Sequence, residues 1–138
     1  MAVLALQSLN HVSFPVRDLE RSLRFYRDVL GLAPIPRPDL PFPGAWLGGN
    51  GIQVHLIVPP EGAPLGSPPP SLNPLGGHVA FGVDSYDAVV EALHAAGVET
   101  LEAGSQVGQL WIRDPDGHLI ELIEARADRG TDLRAGRA

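Results

Sequence analysis

The chain repeats itself. NHVSFPVRDLERSLRFYRDVLGL, Asn10 to Leu32, returns as GHVAFGVDSYDAVVEALHAAGVE, Gly77 to Glu99. His11 and His78, Phe14 and Phe81, and Val16 and Val83 are each 67 residues apart, as are the helix N-cap candidates Asp18 and Ser85. Gly31 and Gly97, placed to follow the two helices in the left-handed conformation, are 66 apart. A repeat of this kind restricts the chain to two copies of one unit. The stretch between them, PPEGAPLGSPPPSLNP, holds seven of the 14 prolines and reads as a linker, since proline supports neither helix interior nor central strand.

Each copy begins with a short strand and continues into an amphipathic helix. Leu19, Leu23, Tyr26 and Leu30 recur at helical spacing in the first, and Tyr86, Val89, Val90, Leu93 and Ala96 in the second. Asn50-Gly51 predicts a hairpin joining a strand near Ala45–Leu47 to Gln53–Val58. Asp114-Pro115-Asp116-Gly117 predicts a turn between Gln109–Ile112 and His118–Glu124. The pattern is βαβββ, twice, an α+β class. The expected organisation is one domain over 1–125, with module one at about 9–58, the linker at 59–76 and module two at about 77–124. Residues 126–138 lack a hydrophobic period and are expected to form a flexible tail.

Composition narrows the chemistry. A net charge of −6 argues against a nucleic-acid binder. Cysteine is absent, which removes thiolate nucleophiles and thiolate metal sites, and all ten basic residues are arginines, which removes Schiff-base chemistry. No apolar run is long enough to span a bilayer and the start lacks a basic n-region, so the expected location is cytoplasmic. Histidine, carboxylate, hydroxyl and bound metal remain.

Strand parity selects the candidates. Val12, Phe14 and Val16 share one face of the first strand, and Val79, Phe81 and Val83 share the equivalent face. These bulky faces suit the helices, so His11, His55, His78 and Glu121 point the other way. Glu121 lies between Leu119 and Ile123 and is expected to be shielded from water. A buried carboxylate needs a cation, and a metal ion with imidazole co-ligands answers that need. His11 repeats as His78, and His55 repeats as Glu121 at an offset of 66. The four form a candidate metal site, with Glu121 as the candidate catalytic group; a role for His55 beside the metal, lining the cavity, stays open. Gln53 and Ser13 share the inward parity and are candidate substrate contacts. Trp46 and Trp111 could stack on a ligand or belong to the core, and Arg37 could meet an anionic group or lie in solvent. His94, His118 and Ser105 read as ordinary helix, turn and loop residues. Gly48-Gly49-Asn50-Gly51 reads as a turn, because no helix follows it.

LNHVSFPVRDLERSLRFYRDVLGL, GGHVAFGV and DPDGHLIELIE resemble the vicinal oxygen chelate superfamily, which includes glyoxalase I, fosfomycin-resistance and bleomycin-resistance proteins and extradiol dioxygenases. The match runs from about Leu9 to Glu124. RPDLPFPGAWLGGNGIQVHLI is similar to the small glyoxalase-I-like proteins. The resemblance implies a curved, cup-like mixed sheet with helices outside, closed around a divalent metal ion (Zn, Ni, Mn, Co or Fe). It places His11, His78 and Glu121 at ligand positions. His55 stands at the fourth, where many glyoxalases carry glutamate. A homodimer and a small-molecule substrate are implied as well. The expected function is a metal-dependent lyase or isomerase that chelates a small oxygen-rich substrate through two oxygens. The rivals are an extradiol-type Fe(II) dioxygenase and a metal-free protein that sequesters a drug or metabolite. Thiol transfer to an epoxide antibiotic is a further one, although no clear cation-binding loop for it is seen.

Overall fold

The structure is a computed structural model that describes residues 1–126. The expected tail lies outside the described residues, apart from Arg126. The chain divides between Pro64 and Leu65 into two compact units, inside the proline-rich stretch.

Unit one contains β1 (Val12–Pro15), α1 (Leu19–Arg24), β2 (Ala33–Ile35), β3 (Gly44–Gly49) and β4 (Ile52–Ile57). Its sheet has the order β1-β4-β3-β2. β1 runs parallel to β4, and the other pairs are antiparallel. Asn50 and Gly51 adopt φ of 51° and 79° in the β3–β4 hairpin, as a turn with two left-handed residues requires. Leu47, Val54 and Leu56 are fully buried on one sheet face, and Phe14 on that face stacks on Tyr26 from the helical segment. Burying each such side chain contributes about 1.5–3 kcal/mol.

Unit two contains β5 (Val79–Val83), α2 (Tyr86–Ala95), β6 (Leu101–Glu102), β7 (Gln109–Arg113) and β8 (Leu119–Glu124). The order β5-β8-β7-β6 repeats that of unit one, with β5 parallel to β8. Its core is Tyr86 and Leu93 from the helix with Leu110, Ile112, Ile120 and Leu122 from the sheet. The turn before β8 is held by Asp114, whose Oδ1 accepts from the amides of Asp116 and His118. The βαβββ order is therefore observed in each unit.

Both caps are formed as expected. The Asp18 carboxylate accepts from the Arg21 amide, and the Ser85 hydroxyl accepts from the Ala88 amide. The helices differ in their second half. α2 is regular, whereas α1 passes into a π-helical turn over Phe25–Val29, where the Leu30 amide bonds to the Phe25 carbonyl. The sequence offset carries the reason. It falls from 67 at the caps to 66 at Gly31 and Gly97, so the first helix holds one more residue between the same two landmarks. A π turn absorbs one residue without shifting the helix ends. Gly31 and Gly97 then terminate both helices at φ of 74° and 71°.

Candidate metal centre

Each unit brings one pair of the expected residues together. In unit two, His78 lies just before β5 and Glu121 in the middle of β8. The parallel register sets Ala80 opposite Glu121, on the face away from the helix. Glu121 is 7% exposed. Its Oε2 accepts from Gln109 Nε2 at 3.3 Å, and its Oε1 lies 3.4 Å from His78 Nε2.

The tautomer of His78 follows from its other nitrogen. Nδ1 lies 2.7 Å from the Gly76 carbonyl oxygen, which can only accept. Nδ1 therefore carries a proton, and the neutral ring directs the Nε2 lone pair towards a carboxylate. Two acceptors facing each other at this distance call for a cation between them, either a second proton on the ring or a metal ion. Two donors on one zinc-sized ion, each bonded at ~2.1 Å, stand roughly 3.0–3.4 Å apart. A histidine whose other nitrogen is held by a backbone carbonyl is also the usual arrangement around a metal. The His78–Glu121 pair fits such an ion.

In unit one, His11 lies just before β1 and His55 in the middle of β4, paired with Ser13 on one side and Trp46 on the other. His11 Nδ1 is 2.8 Å from Asn10 Oδ1, so a neutral His11 donating to that amide oxygen keeps its lone pair on Nε2. His55 is 7% exposed. Its ring stacks on His11 at 3.9 Å between centroids and on Trp46 at 4.0 Å, and its Nε2 lies 3.1 Å from Gln53 Oε1. Burial, and then the neighbouring His11 charge, push the His55 pKa below the ordinary imidazole value. His55 is thereby held neutral, the form that packs between rings or binds metal. Among the described residues no cluster of three or more histidine, aspartate or glutamate side chains is assembled.

The other candidates divide. Gln53 and Trp46 touch His55. Ser13 sits beside it on β1 and is exposed. Trp111 pairs with Glu121 across β7–β8, and its Nε1 is buried with no hydrogen-bond partner. Arg37 donates from Nη2 to the Phe42 carbonyl at 2.7 Å and lies over the Phe42 ring, which ties it to its own loop. Sequence reasoning did not single out Asn10, the Gly76 carbonyl or Gln109, which orient His11, His78 and Glu121. The signal for the first two was their place one and two residues before the repeated histidines. Gln109 shared the inward parity of β7 with Trp111.

A family model described as "Glyoxalase/Bleomycin resistance protein/Dioxygenase superfamily" matches residues 8–122. "Glyoxylase I 4" of Arabidopsis thaliana is 42% identical over 125 residues, which cover 86% of this chain and 71% of that one. "Lactoylglutathione lyase" of Haemophilus influenzae is 33% identical over 131 residues, covering 86% and 93%. Among solved structures, a glyoxalase/dioxygenase from Nostoc punctiforme superposes with a TM-score of 0.70 at 24% identity, over 91% of this chain and 98% of that one.

Proposed function

The chain belongs to the glyoxalase/bleomycin resistance protein/dioxygenase superfamily, and on that premise we propose that it is a divalent-metal-dependent lyase or isomerase of the glyoxalase type. One observation carries this reading: a buried glutamate and an imidazole lone pair face each other across 3.4 Å in unit two, with the imidazole's other nitrogen locked onto a carbonyl. Several relatives are named lactoylglutathione lyase, which supports the reaction class, and others are named glutathione transferase and methylmalonyl-CoA epimerase.

His11, His55, His78 and Glu121 remain the proposed metal ligands, and His78 and Glu121 are the pair that unit two brings together. A divalent ion of the Zn, Ni, Mn, Co or Fe class would act as a Lewis acid towards two neighbouring oxygens of the substrate and stabilise the negative charge that develops there. The rest falls to the chain. Glu121 takes a proton from the carbon next to the substrate carbonyl and returns it to the neighbouring position. Gln109 steadies Oε2 of that carboxylate. Gln53, Ser13, Trp46, Trp111 and Arg37 remain the proposed substrate contacts, with the two indoles as flat walls beside the reacting atoms. The working form is a homodimer in the cytoplasm. In the described residues no helix is long and apolar enough to cross a membrane.

Elemental analysis of the purified full-length chain, followed by lyase assays on lactoylglutathione with and without a chelator, tests the proposal. Stoichiometric metal and chelator-sensitive turnover are expected. Glu121→Gln should lower kcat by about 10²-fold or more, within the range for loss of a general acid or base, with the circular dichroism spectrum unchanged. Full turnover in E121Q would remove Glu121 from the mechanism. Two histidines and a glutamate also make a facial triad for Fe(II). Oxygen uptake with catechols under Fe(II), in place of lyase turnover, would assign the chain to the dioxygenases. A protein that binds drug or metabolite but no metal would belong to the sequestering class, which the buried Glu121 disfavours.

A further inference from the structure

Arg37 carries a charge that unit one does not answer. It is half-buried in the loop between β2 and β3, and among the described residues no carboxylate is paired with it. A guanidinium drawn partly out of water calls for an anion or for a full set of acceptors. The loop supplies one acceptor, the Phe42 carbonyl, which takes Nη2 at 2.7 Å. Nε is buried with no partner. Nη1 has no partner among the described residues either, and unlike Nε it is not sealed from solvent. The Phe42 ring, 5.3 Å from Cζ, suits a cation without neutralising it.

A missing side chain fixes where this group lies. A Cβ on Gly44 would stand 3.1 Å from Arg37 Nη2 and 3.4 Å from its Cζ. The guanidinium fills the room that any larger residue would take. Gly44 pairs with Ile57, and two residues on, Trp46 pairs with His55. Strand alternation puts these four on one face, opposite the fully buried Leu47, Val54 and Leu56. Arg37 therefore shares the face of the Trp46–His55 stack, roughly 7 Å along the strand from it.

We propose that Arg37 recognises a carboxylate of the substrate, through a charge-assisted hydrogen bond from Nη1, with the rest of the substrate running along β3 towards Trp46. The inference rests on the reading of this face as a substrate site and deepens it: the substrate is an anion. One guanidinium balances one carboxylate, whereas a phosphate brings a charge of roughly −1.5 to −2. A staple between loop and sheet would account for Nη2 and the Phe42 ring. It leaves the charge, Nε and Nη1 unanswered.

Two measurements test the site. The first follows the arginine Nε–H resonances of the full-length wild type by NMR, with that of Arg37 assigned by its loss in Arg37→Lys. Propanoate, inorganic phosphate and neutral propanamide are titrated separately. The Arg37 resonance should shift and saturate with propanoate and stay in place with propanamide. A resonance that follows propanoate no further than those of the other arginines do, or that answers only to phosphate, overturns the proposal. The second compares turnover of lactoylglutathione with that of its dimethyl ester, in which both carboxylates are neutral. Wild type should favour the free acid in kcat/KM. Arg37→Gln should shrink that preference by about 10-fold or more, the scale of a hydrogen bond to a charged group, and Arg37→Lys should shrink it less. A staple would slow acid and ester alike, so an unmoved ratio in R37Q overturns the recognition role. Wild type that turns over neither compound counts against the lyase reading alone, and the propanoate titration then decides the carboxylate site by itself.

Discussion

The two modules share a backbone plan and diverge at one strand position. In both, the second and last strands of the hairpin pair a tryptophan with the residue of interest: Trp46 with His55, Trp111 with Glu121. In both, a histidine stands just before the first strand. The duplicated register thus delivers one side chain from the last strand towards that histidine twice. What happens there depends on its chemistry. Imidazole, flat and held neutral, packs between two rings and meets the Gln53 amide. Carboxylate has no apolar face to offer, so it collects Gln109 and His78. The lesson is that duplication fixes place, and a single residue decides whether the place becomes a ring stack or a carboxylate facing an imidazole nitrogen.

The comparison is broken most forcefully through the cores. Leu56 and Leu122 are equivalent, each lying beside a phenylalanine of the parallel first strand in register, and both are buried. Leu56→Ala and Leu122→Ala should each destabilise the protein by about 2–5 kcal/mol, read from the urea midpoint. Equal losses support two energetically equivalent modules. A loss in one variant below about 1 kcal/mol would show that the repeat is geometric only, with one core able to collapse around the missing methyls.

Much of this plan was legible in the sequence because strand parity and helical spacing are local properties. The alternation around Val12, Phe14, Val79 and Phe81 identified the helix-facing side, and Asn50-Gly51 located the hairpin. The π turn was present as a single lost residue of offset between the caps and the terminal glycines. It shows as a defect only when the two helices are superposed. The His55 stack was not legible. Periodicity puts His55 and Trp46 on one face but says nothing of ring angles, which depend on packing between a strand and the residue just before another strand. Arg37 was unreadable for the same reason: its guanidinium is taken by the Phe42 carbonyl of its own loop.

A smaller effect separates the modules by pH. The His55 pKa lies below the ordinary imidazole value, chiefly through burial and then through His11. The unfolded chain takes up this proton near pH 6.5, the folded chain only at lower pH. Between those two values the unfolded state binds more protons, so stability rises with pH across that window. The contribution is complete above about pH 6.5 and is lost progressively as pH falls to the folded pKa. His55→Phe should flatten the denaturation midpoint across that window relative to wild type. A slope unchanged in H55F would mean that His55 is no more shielded than an exposed histidine, and would remove the physical distinction drawn for module one.

The smallest effect belongs to module two, and it lies on the outside. Glu102 on β6 carries a pKa below the ordinary carboxylate value, through the Thr100 hydroxyl first and His94 second. The Thr100 hydroxyl donates to Glu102 Oε2, and His94 Nε2 lies 2.7 Å from the same oxygen. Module one has nothing comparable, since the 66-residue offset puts Pro34 and Pro36 where Thr100 and Glu102 stand. A folded carboxylate with a lowered pKa contributes stability above its unfolded pKa, and that contribution disappears as pH falls through the folded one. The group is solvent-exposed, so the response is sought in its titration and not in the melting curve. Thr100→Val keeps the β-branched shape and removes the hydroxyl. Carboxyl NMR should show Glu102 titrating at higher pH in T100V than in wild type, with His94 still in place. An unmoved titration would transfer the effect to His94. The clip would then be an exposed ion pair of the ordinary kind, and this difference between the modules would reduce to a surface charge that prolines exclude from the first.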